Sequence, residues 1–438
     1  MGGPEAARGR PGASAPTERI SRLGIGPPRP SLIASRAVSR ADLRAGLTVA
    51  ISGALAVFAS AGSAGAQGPP VKLQIPALSG PFEVGTRNML MVDRSRRAGF
   101  GRPGPRKLMV SVTYPRDRKV DAACKDARYL PKAIYRRLQT IIAEQRDADI
   151  DSRMCTGGPV ARGERPILIF SHAYTADRFV YTSLTADLAS RGYIVVSPDH
   201  TSDAFAVRFP GGDVVDGVFG TPLDSEPITA SRLASLVTVR TRDVRFVLTR
   251  IERMGRGSHG FLRGHVDRGR IGIFGHSLGG ATATQASLRD HRFKAAADVD
   301  GSLWGKWVTR VHPRTPFMLL ASEGGIGGDY REQSICTYYS HLRAPRDAFE
   351  LTGSQHLSYS DFQTLAPQIA EADPDWAFAG LYQAIVGSLD PERSITAQRR
   401  ALARFFEVHV KGKGHRVSPP AGFTRLPTGD GCAAPRPG

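Results

Sequence analysis

The residues best suited to chemistry are those of Gly275-His276-Ser277-Leu278-Gly279. This pentapeptide closes the apolar run Arg270-Ile271-Gly272-Ile273-Phe274 and opens the small-residue stretch Gly280-Ala281-Thr282-Ala283-Thr284-Gln285-Ala286. Glycines two residues to either side of a serine permit a strained strand-to-helix turn, with backbone approaches that any Cβ would block and the serine Oγ exposed at the tip. A serine hydroxyl is a poor nucleophile near neutral pH. It needs an imidazole to take its proton and a carboxylate to hold that imidazole in the right tautomer. Ser277 is the candidate nucleophile, and its partners are expected later in the chain, acid before histidine, each at the end of a strand.

Of the eleven histidines, only His356 follows a late strand-like run, Phe349-Glu350-Leu351, so it is the candidate general base and acid. Two carboxylates compete to orient it. Asp300 ends the strand after the nucleophile unit and is followed by Gly301, while Glu323 ends the next strand. The shorter side chain and the tight turn favour Asp300. Asp298, two positions earlier, is expected to face away. Two backbone N–H groups must meet the developing oxyanion: Leu278, after the nucleophile, and Tyr174, with Ala173 the next candidate, in the loop after Pro166-Ile167-Leu168-Ile169-Phe170-Ser171. Trp304, Trp307 and Phe179 can wall an acyl or alcohol group, and ordinary core packing accounts for them equally well.

These side chains need a sheet to present them. Residues 82–93 and 107–115 alternate apolar and polar residues at period two and read as antiparallel strands. The continuous apolar runs 166–171 and Tyr193-Ile194-Val195-Val196-Ser197 read as buried parallel strands, joined by a helix over about 179–190. Ser231 to Met254 repeats apolar residues at three and four, as an amphipathic helix does. Strands follow over 293–300, 316–321 and 348–351, the last of the series, and a terminal helix over 393–410. Residues 201–227 are expected to loop over the C-terminal sheet edge, where ligands bind in open α/β folds. The fold class is therefore α/β, of the α/β-hydrolase type, a mostly parallel central sheet with helices on both faces. Residues 67–80 read as a Pro/Gly linker, 121–163 as a charged, partly helical insertion able to cap the site, and 411–438 as a loose tail; the catalytic domain spans 67–410.

Phe170-Ser171-His172, the stretch Leu184 to Tyr193, Gly275 to Thr282, Asp300 before Trp304, Ser322-Glu323, and Gly353-Ser354-Gln355-His356 with Asp361-Phe362 together resemble the secreted platelet-activating-factor acetylhydrolase family, the lipoprotein-associated phospholipase A2 type. They are also similar to bacterial polyester hydrolases and dienelactone-hydrolase-like enzymes. The likeness covers about residues 80–410, and its most specific parts are the nucleophile turn and the 23-residue step from Ser277 to Asp300. The resemblance implies Asp300 as the acid, Tyr174 as the second oxyanion amide, and calcium-independent hydrolysis of short or oxidised acyl esters. Two departures bear on substrate choice: the family's His-Gly is His172-Ala173 here, and the 121–163 insertion is extra.

The chain of 438 residues carries a formal charge of +19, from 50 Arg and 9 Lys spread along its length. No basic block with interleaved aromatics occurs, so nucleic acid is not an expected partner; the charge is compatible with weak attraction to an anionic lipid surface or cell-surface polymer. Residues 1–66 read as a disordered extension ending in an export signal. Arg36, Arg40 and Arg44 precede the short apolar stretch 47–59, and small residues lead to cleavage after Ala66. Removal takes eight arginines and three acids, leaving +14. All four cysteines follow the signal; Cys124–Cys155 and Cys336–Cys432 are the favoured pairs. With neither C-x-x-C nor H-E-x-x-H, no metal or cofactor is expected. The expectation is an exported serine carboxylic-ester hydrolase acting on short or oxidised acyl esters of lipid type. A polyester or general carboxylesterase, and a catalytically silent binding protein of the same fold, are the alternatives.

Overall fold

Alternation along the central strands decides the architecture. Ile167, Ile169, Ile194, Val196, Ile271 and Ile273 point to one side, where they pack with Val237, Val244, Val247 and Ile251 of a long helix. Leu168, Phe170, Val195 and Phe274 point to the other, against Leu184, Leu188, Leu402, Phe405 and Phe406. A strand apolar on both faces needs a helical layer on each, and a three-layer α/β sandwich results. The computed structural model describes residues 70–426, apart from 121–122, 143–146, 218–228, 309, 324–327, 375, 377–378 and 416. The extension and signal expected over 1–66 lie outside the described residues. The described residues belong to one compact unit, 44–438.

The strands are β1 (Val71–Gln74), β2 (Val84–Gly99), β3 (Arg102–Pro115), β4 (Asp126–Arg128), β5 (Ala148–Thr156), β6 (Arg165–Ser171), β7 (Ile194–Pro198), β8 (Ala206–Arg208), β9 (Val214–Asp216), β10 (Val266–His276), β11 (Phe293–Val299), β12 (Phe317–Ser322), β13 (Arg346–Leu351) and β14 (Phe423–Arg425). The main sheet runs β1-β5-β2-β3-β7-β6-β10-β11-β12-β13-β14, with β4 beside β5, and β8 and β9 form a separate hairpin. From β7 to β13 every pair is parallel, whereas β2–β3, β3–β7 and β13–β14 are antiparallel. The helices are α1 (Lys132–Ile142), α2 (Thr182–Ser190), α3 (Ala230–Arg256), α4 (Leu278–Arg289), α5 (Gly328–His341), α6 (Phe362–Ala372), α7 (Gln383–Val386) and α8 (Pro391–His409). Local chemistry sets their starts. Thr229 caps α3 by accepting from Arg232 N–H at 3.1 Å, and Asp390 caps α8 by accepting from Arg393 N–H at 2.9 Å, with proline at the first turn.

Three expectations are corrected. The stretch 67–80 is not only a linker, because β1 lies in it and pairs with β5. The 121–163 insertion is not only charged and partly helical: it adds β4 and β5 to the sheet, and its Cys124 and Cys155 are disulfide-bonded to each other. The tail is not loose throughout: β14 pairs antiparallel with β13, which is therefore not the last strand. Cys336 is also disulfide-bonded, while Cys432, its expected partner, lies outside the described residues.

Candidate functional site

Strand β10 delivers Ser277 to a turn with φ 57° and ψ −121°, and α4 starts at the next residue. A side chain at this φ is strained, and the strain is tolerated because the surroundings over-determine the turn. Ser277 N–H donates to Val299 O at 2.8 Å, and the carbonyl of Ser277 accepts from Gly280 at 2.9 Å and Ala281 at 3.3 Å. A Cβ at Gly279 would overlap the carbonyl of Ser171, so only glycine lets α4 pack this close to β6. Asp298 does not simply face away: its buried carboxylate accepts from Gly301 N–H at 2.8 Å under the same turn.

Asp300 also has positive φ, 53°, just beyond β11. Its carboxylate is fully buried and accepts from His356 Nδ1–H at 2.6 Å, Ser322 N–H at 2.8 Å and Ser322 Oγ–H at 2.7 Å. Those bonds fix which oxygen faces the imidazole. His356 Nδ1 is thereby a donor, which leaves Nε2 as the acceptor of the ring. The His356 side chain is 12% exposed, and its ring lies 4.5 Å from that of His276, the neighbour of Ser277. Glu323, the other candidate acid, accepts from Gly353 N–H at 2.6 Å instead.

The histidine loop is anchored on several sides. Tyr359 donates to Ala321 O of β12 at 2.8 Å. Buried Asp361 accepts from Thr182 N–H at 2.8 Å and Ser183 N–H at 3.0 Å at the start of α2, and from Tyr129 Oη–H at 2.8 Å. A carboxylate at a helix N-terminus satisfies donors that the helix leaves unpaired. Through Tyr129 the insertion contributes to the site's framework.

Leu278 opens α4, so its N–H has no acceptor within the helix. Ala173 N–H donates to Tyr181 Oη at 3.2 Å. Phe179 sits in the apolar cluster around Ile134, Leu365 and Trp376. Trp304 packs in the cluster over α3, and Trp307 donates to Trp304 O at 2.7 Å.

Sequence reasoning missed a buried polar layer beneath this rim. Ser171 Oγ lies 2.9 Å from His200 Nε2, and His200 Nδ1 lies 3.1 Å from Asp243 Oδ2, a second Ser-His-Asp series. All three are fully buried, so the series braces β6 and β7 and does not meet solvent. Burial pushes the Asp243 carboxyl up, but Arg106, with His200, outweighs burial and holds it far below the usual carboxylate range. Burial pushes His172, His200 and His276 below the ordinary imidazole range; Arg240 reinforces this for His172 and His200, and the charge of His356 does so for His276. The sequence offered one signal of this layer: Arg240 and Asp243 fall on the apolar stripe of α3, where a charge requires a buried partner.

Among the described residues, two groupings have the spacing of a metal site. The ligand atoms of His276, Asp300 and His356 lie within 4.8 Å of one another, as do those of Glu83, Cys124 and Cys155. The sulfurs are spent in the disulfide, and the first group's inner nitrogens are committed to Tyr181 and Asp300. Proton relay, not ligation, is what these hydrogen bonds suit.

A family model described as platelet-activating factor acetylhydrolase, isoform II, matches residues 68–209 and 258–415. The chain belongs to this family. The acetylhydrolase match spans both ends of the site, from the loop of Tyr174 to His356. A probable 1-alkyl-2-acetylglycerophosphocholine esterase of Arthroderma benhamiae is 26% identical over 383 residues, covering 78% of this chain and 90% of the fungal protein. A platelet-activating factor acetylhydrolase of Canis lupus familiaris is 24% identical over 281 residues, covering 58% of this chain and 59% of the canine enzyme, less than two thirds of its length. A solved ferulic acid esterase from Streptomyces cinnamoneus superposes with a TM-score of 0.67 at 25% identity, covering 81% of this chain and 99% of the esterase. The chain is an ester hydrolase with the α/β-hydrolase fold. Among the described residues no helix is long and apolar enough to cross a membrane.

Proposed function

We propose that the chain hydrolyses short-chain or oxidised acyl esters of phospholipid or related lipids through an acyl-enzyme on Ser277. Ser277 Oγ attacks the ester carbonyl carbon while His356 Nε2 takes its proton, and the Asp300 carboxylate holds His356 Nδ1–H and stabilises the imidazolium. The N–H groups of Leu278 and Tyr174 receive the oxyanion. Collapse breaks the ester C–O bond, and His356 returns the proton to the departing alcohol. Water then attacks the acyl group, its proton passing to His356, and the acid leaves as Ser277 is restored. The observation that carries this reading is the 2.6 Å bond from His356 Nδ1 to the buried Asp300 carboxylate, beside the strained Ser277 turn. Trp304 and Phe179 remain candidates for the substrate wall.

The fungal and canine relatives support an acetyl ester of a glycerophosphocholine as substrate. The ferulic acid esterase favours a second reading, a general carboxylesterase. The disulfide between Cys124 and Cys155 supports export to an oxidising compartment, and the excess of arginine supports weak contact with anionic lipid. The test is a panel of esters on the chain lacking residues 1–66. Glycerophosphocholines with acetyl to palmitoyl groups at the second position are compared with p-nitrophenyl and feruloyl esters of matched chain length. kcat/KM highest for acetylated or oxidised phospholipid supports the lipid reading, and no preference for the headgroup supports the second.

A further inference from the structure

The peptide joining Ala173 to Tyr174 is held from behind. Ala173 O accepts from His172 Nδ1–H at 2.7 Å, from Arg240 Nη2 at 3.2 Å and from Ala176 N–H at 3.3 Å. Arg240 Nη1 donates to His172 O at 2.5 Å, and its guanidinium is paired with both oxygens of Asp203, whose backbone carbonyl accepts from Thr175 N–H at 3.2 Å. Arg240 and His172 are fully buried, and Asp203 is nearly so. His172 Nε2 accepts from His200 N–H at 3.0 Å, which fixes the neutral tautomer with the proton on Nδ1. In a trans peptide the C=O and N–H point in opposite directions. Holding the Ala173 carbonyl toward α3 therefore turns Tyr174 N–H away from α3. On the oxyanion assignment proposed above, a flipped peptide would present its carbonyl oxygen where the Tyr174 N–H is needed, and the oxyanion would lose a donor.

We propose that Arg240 and His172 are positioning residues that lock the Ala173–Tyr174 peptide in the donor orientation needed for the oxyanion. Arg240 lies outside the residues matched by the family model, and His172 lies within them. The proposal rests on the acyl-enzyme reading given above.

Asparagine and glutamine separate the two bonds of His172. An Asn amide reaches the Nδ1 position and can still donate to Ala173 O, whereas a Gln amide reaches the Nε2 position and keeps only the bond from His200 N–H. The experiment measures kcat and KM on p-nitrophenyl acetate, thermal melting, and affinity for a trifluoromethyl ketone that forms an oxyanion. The proteins are wild type, Ser277→Ala, His172→Asn, His172→Gln and Arg240→Lys. Loss of one oxyanion donor lowers kcat about 10²–10³-fold. The expected result is kcat at least about tenfold lower in His172→Gln than in His172→Asn, with KM within about threefold and ketone affinity falling in parallel. Equal kcat in the two folded His172 variants overturns the proposal. If neither folds, Arg240→Lys decides: kcat falling at unchanged KM supports the lock, and kcat within about threefold of wild type refutes it. Ser277→Ala as active as wild type would instead remove the acyl-enzyme reading itself.

Discussion

Asp300→Asn tests the arrangement at its most constrained point. In the wild-type chain one carboxylate oxygen receives Ser322 N–H at 2.8 Å, and the other receives both Ser322 Oγ–H at 2.7 Å and His356 Nδ1–H at 2.6 Å. The Ser322 N–H is a fixed donor, so an asparagine must turn its carbonyl oxygen to it and its NH2 group to the other position. The serine hydroxyl can rotate to accept, but His356 then has to accept at Nδ1, which moves its proton to Nε2. An imidazole protonated at Nε2 cannot take the proton of Ser277. The expected loss in kcat is about 10⁴-fold, or about 5.4 kcal/mol, with KM little changed. Steady-state hydrolysis of p-nitrophenyl acetate gives kcat and KM, and the imidazole proton resonances of the variant report the tautomer. Glu323→Gln is the matched control: Glu323 bonds a backbone amide in an exposed position, and its loss is expected to cost less than about 1 kcal/mol. Asp300→Asn keeping more than about a tenth of wild-type kcat, or Glu323→Gln losing as much, would refute the reasoning.

Other perturbations follow from the same structure. His172, His200 and His276 are buried with their protonation disfavoured, so below the ordinary imidazole value near 6.5 the unfolded chain binds more protons than the folded one. Stability should therefore fall on acidification from pH 6.5 to 5, by at most about 4 kcal/mol per pH unit for three protons. Buried Asp177 and Asp361, raised chiefly by desolvation, oppose this slope, and urea midpoints across that range measure the net effect. The Cys124–Cys155 bridge spans 31 residues, so replacing both cysteines with serine should lower unfolding free energy by about 3–4 kcal/mol, read from urea titrations. Gly279→Ala forces a Cβ into the backbone of Ser171 and should cost about 3 kcal/mol together with most of the activity, seen in melting curves and ester turnover.

What was legible in the sequence was whatever one strand or one turn determines locally. The pentapeptide around Ser277 marks itself by its glycines, and Asp300 and His356 mark themselves by following apolar runs. The structure joins those two residues in the expected hydrogen bond and gives Glu323 a different partner. β1 and β14, with four and three residues, are too short to show a period. β5 pairs with three strands, but its composition is mostly polar, so the insertion reads as loop and helix. The buried layer of Arg106, Arg240, Asp203, His200 and Asp243 stayed hidden for another reason: the place of Arg240 on the apolar stripe signals that it needs a buried partner, but not that the partner is Asp203, 37 residues away.

The most direct test of the central claim is to trap the covalent intermediate. The full-length protein is treated with a fluorophosphonate probe, digested and mapped by mass spectrometry. The account predicts stoichiometric labelling on the peptide that carries Ser277, abolished in Ser277→Ala and suppressed by excess acetyl ester. Labelling at another residue, or Ser277→Ala retaining wild-type turnover, would contradict it.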